Sequence, residues 1–187
     1  MRKYLCLISL FVLLTVVHAQ QKQDVINYIE RYKDVAIQEM LRSHIPASIT
    51  LAQGLHESSY GKSRLAKEAN NHFGIKCKDE WSGKKFFQND DAPNECFRVY
   101  EHAEASYADH SDFLLTRPRY ASLFQLLITD YKGWALGLKE AGYATNPKYT
   151  QILIKTIEEY GLTKYDQTGL ALMEAKEKLL SVPVKSN

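Results

Sequence analysis

Apolar residues return every three or four positions through most of this chain, and that rhythm limits what it can fold into more than any single residue does. Val25, Ile29, Ala36, Ile37 and Met40 share one side of a helix expected from about Gln23 to Leu41. A second helix is expected to begin at Pro46, a residue suited to a first helical turn, and to stop at Gly61. Between Glu101 and Thr116, Ala103, Tyr107, His110 and Leu114 again fall on one face. Asp130 is placed to cap a short helix in which Tyr131, Trp134, Ala135 and Leu138 follow the same spacing, and Gly142 ends it. Asn146 and Pro147 open a helix that packs Tyr149, Ile152, Leu153, Ile157 and Tyr160 before Gly161, and a further helix is expected over Leu170 to Leu180. One stretch, Asn71 to Tyr100, breaks the pattern. It holds Gly74, Gly83 and Pro93, with β-rich pieces at Phe73 to Cys77, Lys84 to Gln88 and Cys96 to Tyr100, and predicts a small β-hairpin lobe. The expected fold is mainly α (α+β): a helical domain with a small β lobe bordering a cleft.

The first 19 residues read as a secretory signal: Arg2 and Lys3, an apolar run from Tyr4 to Val17, and small residues at Val17 and Ala19 ahead of the cut. The apolar run is shorter than the roughly 20 residues a bilayer span needs, so no membrane anchor is expected after cleavage. Cys6 lies too early in the run to be a lipid-modified cysteine. The protein is therefore expected to be exported, to the periplasm or outside the cell. The chain has 24 basic and 22 acidic residues, and losing Arg2 and Lys3 leaves the two equal, which gives no electrostatic footprint for nucleic acid. No repeat or linker divides the remainder. It reads as one domain over 20–166 with a C-terminal helix and a mobile tail over 167–187, expected to be a monomer. Cys77 and Cys96 are the cysteines left after processing, and in an exported chain an isolated pair is expected to be a disulfide. It would close a loop of about 20 residues and stabilise by roughly 3 kcal/mol in the chain-entropy picture.

The chemistry concentrates in the segment Ile45 to Ser63. On a helix starting at Pro46, Ile49, Ala52 and Leu55 face the core while Gln53, Glu57 and Tyr60 form another face. Glu57 then sits in the last turn, against the negative end of the helix dipole, which disfavours its charged form. Apolar surroundings would raise its pKa further. A carboxylic acid that keeps its proton near neutrality is what protonation of a glycosidic oxygen requires. Placement alone suits an ordinary surface glutamate better, and something beyond placement is needed to overturn that reading.

Three blocks supply it. HESSYGKS (His56 to Ser63), NNHFGIK (Asn70 to Lys76) and AGYATNPKYTQIL (Ala141 to Leu153) resemble, in this order, the glucosaminidases of glycoside hydrolase family 73. With FRVY at Phe97 to Tyr100, the resemblance covers about Val25 to Tyr165. It implies a lysozyme-like helical fold and an endo-β-N-acetylglucosaminidase acting on the glycan strands of peptidoglycan. Glu57 matches the family's essential acid, and Tyr143 matches a tyrosine beside the reacting sugar. Phe73 is expected to line the groove, and Tyr60, Asn71 and Tyr149 are the further candidates for holding the strand. The second carboxylate of many relatives falls near Asp90 or Asp91, with Glu80 and Glu95 as positional rivals. Two routes stay open: a β-lobe carboxylate activating water, or attack by the substrate's own acetamido oxygen with Tyr143 positioning it. A muramidase or lytic transglycosylase, which also places a glutamate at a helix end, and a non-catalytic wall-binding module are the alternatives. His44, His56, His72, His102 and His110 form no spaced ligand set, and no metal or other cofactor is expected.

Overall fold

The computed structural model describes residues 2–78 and 81–181, with side chains from Ala19 onward. Glu80 and the chain end at 182–187 lie outside the described residues. The elements run α1 (Arg2–Ser43), α2 (Ala47–Glu57), α3 (Arg64–Ala69), β1 (Lys85–Gln88), β2 (Glu95–Arg98), α4 (Ala103–Thr116), a 3₁₀ segment (Pro118–Gln125), α5 (Tyr131–Glu140), α6 (Tyr149–Glu159) and α7 (Thr163–Leu180). The fold is mainly helical with one small antiparallel sheet, as the spacing predicts.

Helix α1 starts well before the expected Gln23 because no glycine or proline precedes Pro46, so nothing in the sequence breaks it. The expected cut after Ala19 falls inside this helix. Among the described residues no helix is long and apolar enough to cross a membrane. His44 adopts φ 60° just after α1, and α2 begins at Ala47, one residue later than expected, with Pro46 in the N-cap position.

Helix α2 is the centre of the molecule. Every residue from Ala47 to Leu55 is buried, as happens to a helix that is apolar nearly all round. It packs against α1, α5, α6 and α7. Gly54 permits the tightest approach, since a Cβ there would stand 2.6 Å from the Tyr28 hydroxyl and 3.0 Å from that of Tyr107. Pro46 offers no side-chain cap to the first turn of α2. Asp166 of α7 supplies it: one carboxylate oxygen accepts from the Ser48 N–H at 2.8 Å and the other from the Ser48 hydroxyl at 2.6 Å. Burial pushes the Asp166 carboxyl up to about 6 against the pull of those bonds. The helix expected from Leu170 thus begins at Thr163, because its first two turns are tied into the core through Tyr165, Asp166 and Gly169.

Helix α2 ends at Glu57, four residues short of the expected Gly61. Ser59, Tyr60 and Gly61 all take positive φ (51°, 59° and 75°) and turn the chain back. The Ser58 hydroxyl holds this turn, donating to the Gly54 carbonyl at 2.5 Å and accepting from the Gly61 N–H at 2.8 Å. Ser63 then caps α3 by accepting from the Ala66 N–H at 3.1 Å. In the lobe, Lys85 pairs with Arg98 and Gln88 with Glu95. The piece at Phe73 to Cys77, expected as a strand, makes only the Lys76–Phe97 bridge. Cys77 and Cys96 are disulfide-bonded, with Cα atoms 5.3 Å apart.

Asp166→Ala should lower stability by about 2 kcal/mol, the combined cost of a lost cap and unpaired buried donors. Asp166→Asn, which keeps one acceptor, should cost less. Urea midpoints at constant slope check both.

Candidate active site

The end of α2 opens into a cleft of about 730 Å³ whose walls include Glu57, Phe73, Lys76, Asp90, Asp91, His110, Tyr143 and Tyr149. One wall is α2 and α6, and the β lobe stands opposite. Glu57 is exposed at the surface of this cleft, yet the concave walls strip enough water away that burial pushes its carboxyl up to about 7. The Asp90 charge across the cleft adds to the rise, and a hydrogen bond from Tyr149 opposes it. The negative end of α2 acts in the same direction as burial.

Tyr149, at the start of α6, is buried and linked at both sides of its hydroxyl. It accepts from the Gln53 side-chain nitrogen at 3.0 Å and donates to the Glu57 carboxylate. Gln53 and Glu57 share a face of α2 at i and i+4, as the spacing predicts. Tyr149 therefore touches the acid itself. His56 ties the same end of α2 to α6 through a 2.7 Å bond between its Nε2 and the Thr156 hydroxyl.

Tyr143 reaches the cleft from a Schellman turn after α5. Its N–H bonds the Leu138 carbonyl at 3.0 Å, the Gly142 N–H bonds that of Lys139 at 3.1 Å, and Gly142 takes φ 74°. The ring stacks on Tyr149 with centroids 5.7 Å apart and 24° between planes. Burial, then the charges of Tyr149 and Glu57, raise its hydroxyl pKa, so it stays a donor.

The acidic turn lies on the cleft's far rim, where one ammonium holds three carboxylates. Lys76 Nζ is 3.3 Å from Asp90, 2.9 Å from Asp91 and 2.8 Å from Glu95. These carboxylates are the one grouping of metal-ligating side chains among the described residues, and Lys76 engages all three of them. Glu95 is held below its ordinary range first by Lys76 and then by the Ala92 N–H.

The remaining candidates separate. Phe73 lies in the cleft wall with its face on His110 at 4.0 Å. Asn71 is buried away from the cleft, and its side chain braces the lobe by bonding Ile75 on both sides and the Arg98 carbonyl. Tyr60 is not on the Glu57 face, because the helix has already ended. Its hydroxyl accepts from Gln21 at 2.8 Å, and it lines a separate pocket of about 320 Å³ between α1, α2 and α6. Sequence reasoning missed Lys76, whose partners Asp90, Asp91 and Glu95 lie 14 to 19 residues away and meet it through the hairpin. It also gave His110 no part beyond a place on one face of α4. That imidazole is fully buried behind the cleft with neither nitrogen hydrogen-bonded, and burial lowers its pKa to about 3, so it is neutral.

If Glu57 is the proton donor, activity should fall as pH rises through about 7. Tyr149→Phe removes a bond that favours the charged form, so the falling limb should move to higher pH, as a kcat/KM profile will show. Folded Glu57 holds its proton more tightly than the unfolded chain with its ordinary value of 4.5. Its contribution to stability is thus complete below 4.5 and lost as pH climbs through about 7. Glu57→Gln should accordingly melt above wild type on the alkaline side of that window and lose this advantage on the acid side.

The chain matches the family model described as mannosyl-glycoprotein endo-beta-N-acetylglucosaminidase over residues 33–162. It is 30% identical over 142 residues to the exo-glucosaminidase LytG of Bacillus subtilis, covering 69% of this chain and 49% of that one. To the peptidoglycan hydrolase FlgJ of Salmonella typhimurium it is 31% identical over 130 residues, covering 63% and 40%. The chain thus spans half or less of the length of these curated relatives. Among solved structures, it resembles a peptidoglycan hydrolase from Sphingomonas sp. A1, with TM-score 0.64, 28% identity and coverage of 76% of this chain and 94% of that one. The catalytic domain of the autolysin Auto from Listeria monocytogenes gives TM-score 0.65 at 26% identity, covering 76% and 87%. The matched span contains both the helix-end glutamate and the tyrosine after α5, and the chain belongs to the glucosaminidase family of glycoside hydrolases, family 73.

Proposed function

We propose that this protein is an endo-β-N-acetylglucosaminidase that cuts peptidoglycan strands after N-acetylglucosamine, working as an exported monomer in the periplasm or outside the cell. The reading is carried by one observation: a carboxyl pushed up to about 7 at the rim of a cleft, with Tyr149 on its oxygen and Tyr143 stacked behind. Glu57 gives its proton to the leaving oxygen as the bond to the sugar carbon breaks. The aromatic wall of Phe73, Tyr143 and Tyr149 suits sugar faces, and family relatives named as peptidoglycan hydrolases support the substrate class.

For the second step, the ion pairs of Lys76 favour the acetamido route. A carboxylate that takes a proton from water gives up its attraction to an ammonium, and Asp90, Asp91 and Glu95 all share one. The substrate's acetamido oxygen attacks the sugar carbon with Tyr143 orienting it, water then breaks that new bond at the sugar carbon as its proton returns to Glu57, and the two displacements retain the configuration. The water-activating alternative inverts it.

Glu57→Gln should abolish zymogram clearing while sparing binding to sacculi; unchanged clearing removes Glu57 from the mechanism. Mass spectrometry of the digest should show reducing N-acetylglucosamine ends, whereas reducing muramic ends mark a muramidase and anhydromuramic ends a transglycosylase. The wild type clearing nothing while still binding would mark a wall-binding module. Asp90→Asn and Asp91→Asn should each lower kcat by less than about tenfold. A loss of about 10²- to 10⁴-fold, the usual worth of a general base, would assign water activation to that residue.

A further inference from the structure

The cleft is charged differently on its two sides. On the β lobe, Lys76 is engaged by three carboxylates. On the α4 side, Arg117 and Arg119 line the cleft, and among the described residues neither has a carboxylate partner. Their positions follow from the local sequence. Arg117 precedes Pro118, which keeps it extended (φ −98°, ψ 120°) and ends α4 there. Its guanidinium lies over the Phe113 ring, 3.9 Å from the centroid, and that of Arg119 lies 4.7 Å from the Tyr120 centroid. Phe113 and Tyr120 in turn stand 6.4 and 6.3 Å from the Tyr143 ring. Both cations are thus held one aromatic ring away from the tyrosine beside the cleavage point. A guanidinium resting on a ring gives up side-chain freedom in advance and still offers its N–H edge, whose fork matches a carboxylate.

A chain of N-acetylglucosamine is neutral and has no use for two such groups. A peptidoglycan strand carries on alternate sugars a lactyl group ending either in a free carboxylate or in a peptide with carboxylates of its own. We propose that Arg117 and Arg119 form a carboxylate-binding subsite that selects strands bearing these anionic substituents and turns them toward the α4 wall. The inference rests on the glycan-cleaving reading above and names the feature of the strand it prefers.

The test measures binding of three soluble strands to the Glu57→Gln protein: peptide-bearing strands, strands stripped of peptide to the lactyl carboxylate, and strands whose carboxylates have been converted to amides. The charged strands should bind roughly tenfold more tightly than the amidated ones, and added salt should shrink the difference. Comparing the peptide-bearing and stripped strands shows which carboxylate is read. In Arg117→Gln/Arg119→Gln the charged-to-amidated ratio should fall to near one, and the single Arg119→Gln, at an exposed position, should move it part of the way. Arg117→Lys/Arg119→Lys should keep only part of the preference, because the charge remains and the fork is lost. Equal binding of charged and amidated strands by the parent protein, or a ratio that survives the double substitution, overturns the subsite. Failure to bind any of the three strands has a different signature: it overturns the glycan reading and the subsite together.

Discussion

The site depends on a helix that is buried along its length and reaches solvent at its last turn. Nine consecutive residues of α2 are inside the protein, so its axis is fixed by packing on several sides at once. Its two ends are treated oppositely. At the start, Asp166 arrives from α7 and places a negative charge against the positive end of the helix, meeting the orphan donors of the first turn. At the finish, Glu57 places a carboxyl against the negative end, where a charge is unwelcome. The same dipole that stabilises Asp166 as an anion raises the proton affinity of Glu57. One residue's cap and the other's acidity are two consequences of one helix direction.

That arrangement is costly locally and useful chemically. A carboxyl that would rather keep its proton destabilises the fold wherever solution pH takes the proton away, a common trade at functional sites. The polar neighbours limit the cost. Tyr149 bonds the carboxylate and is itself anchored by Gln53 one turn earlier on the same helix, so the acid is oriented without being discharged. Across the cleft, Lys76 draws the acidic turn together.

The sequence made the helical faces legible because they follow a period that burial enforces. Val25, Ile29, Ala36, Ile37 and Met40 are all buried on α1, and Ala103, Tyr107, His110 and Leu114 on α4. The Schellman turn before Tyr143 was readable from Gly142, since glycine is the residue that turn asks for. The end of α2 was not readable. Ser59 and Tyr60 turn the chain with left-handed backbones that carry no glycine signal, and this moved Tyr60 off the face of Glu57. Asn71 looked like a sugar contact because it is polar and sits in a family block, yet its hydrogen bonds are spent inside the lobe. The Asp166 cap joins residues 118 positions apart, and no local pattern announces a contact of that range.

The β lobe explains why the second wall relies on polar and covalent ties. Among the described residues its own apolar cluster is Leu65, Ala69 and Phe97, with Phe86 and Val99 packed alongside. A two-stranded sheet with so little to bury is marginal alone. The lobe is instead fastened at three places: the Cys77–Cys96 bond joins its two sides, the Asn70 side chain bonds the carbonyls of Tyr100 and Glu101, and Arg98 and Tyr100 both engage Asp109 of α4. Because the Asn70 and Asp109 ties lead to α3 and α4, the acidic rim is held in register with Glu57 by the same scaffold that carries Phe73 and His110. The width of the cleft is thereby a property of the folded domain, and the raised Glu57 carboxyl and the aromatic wall face each other at a spacing already set before anything enters.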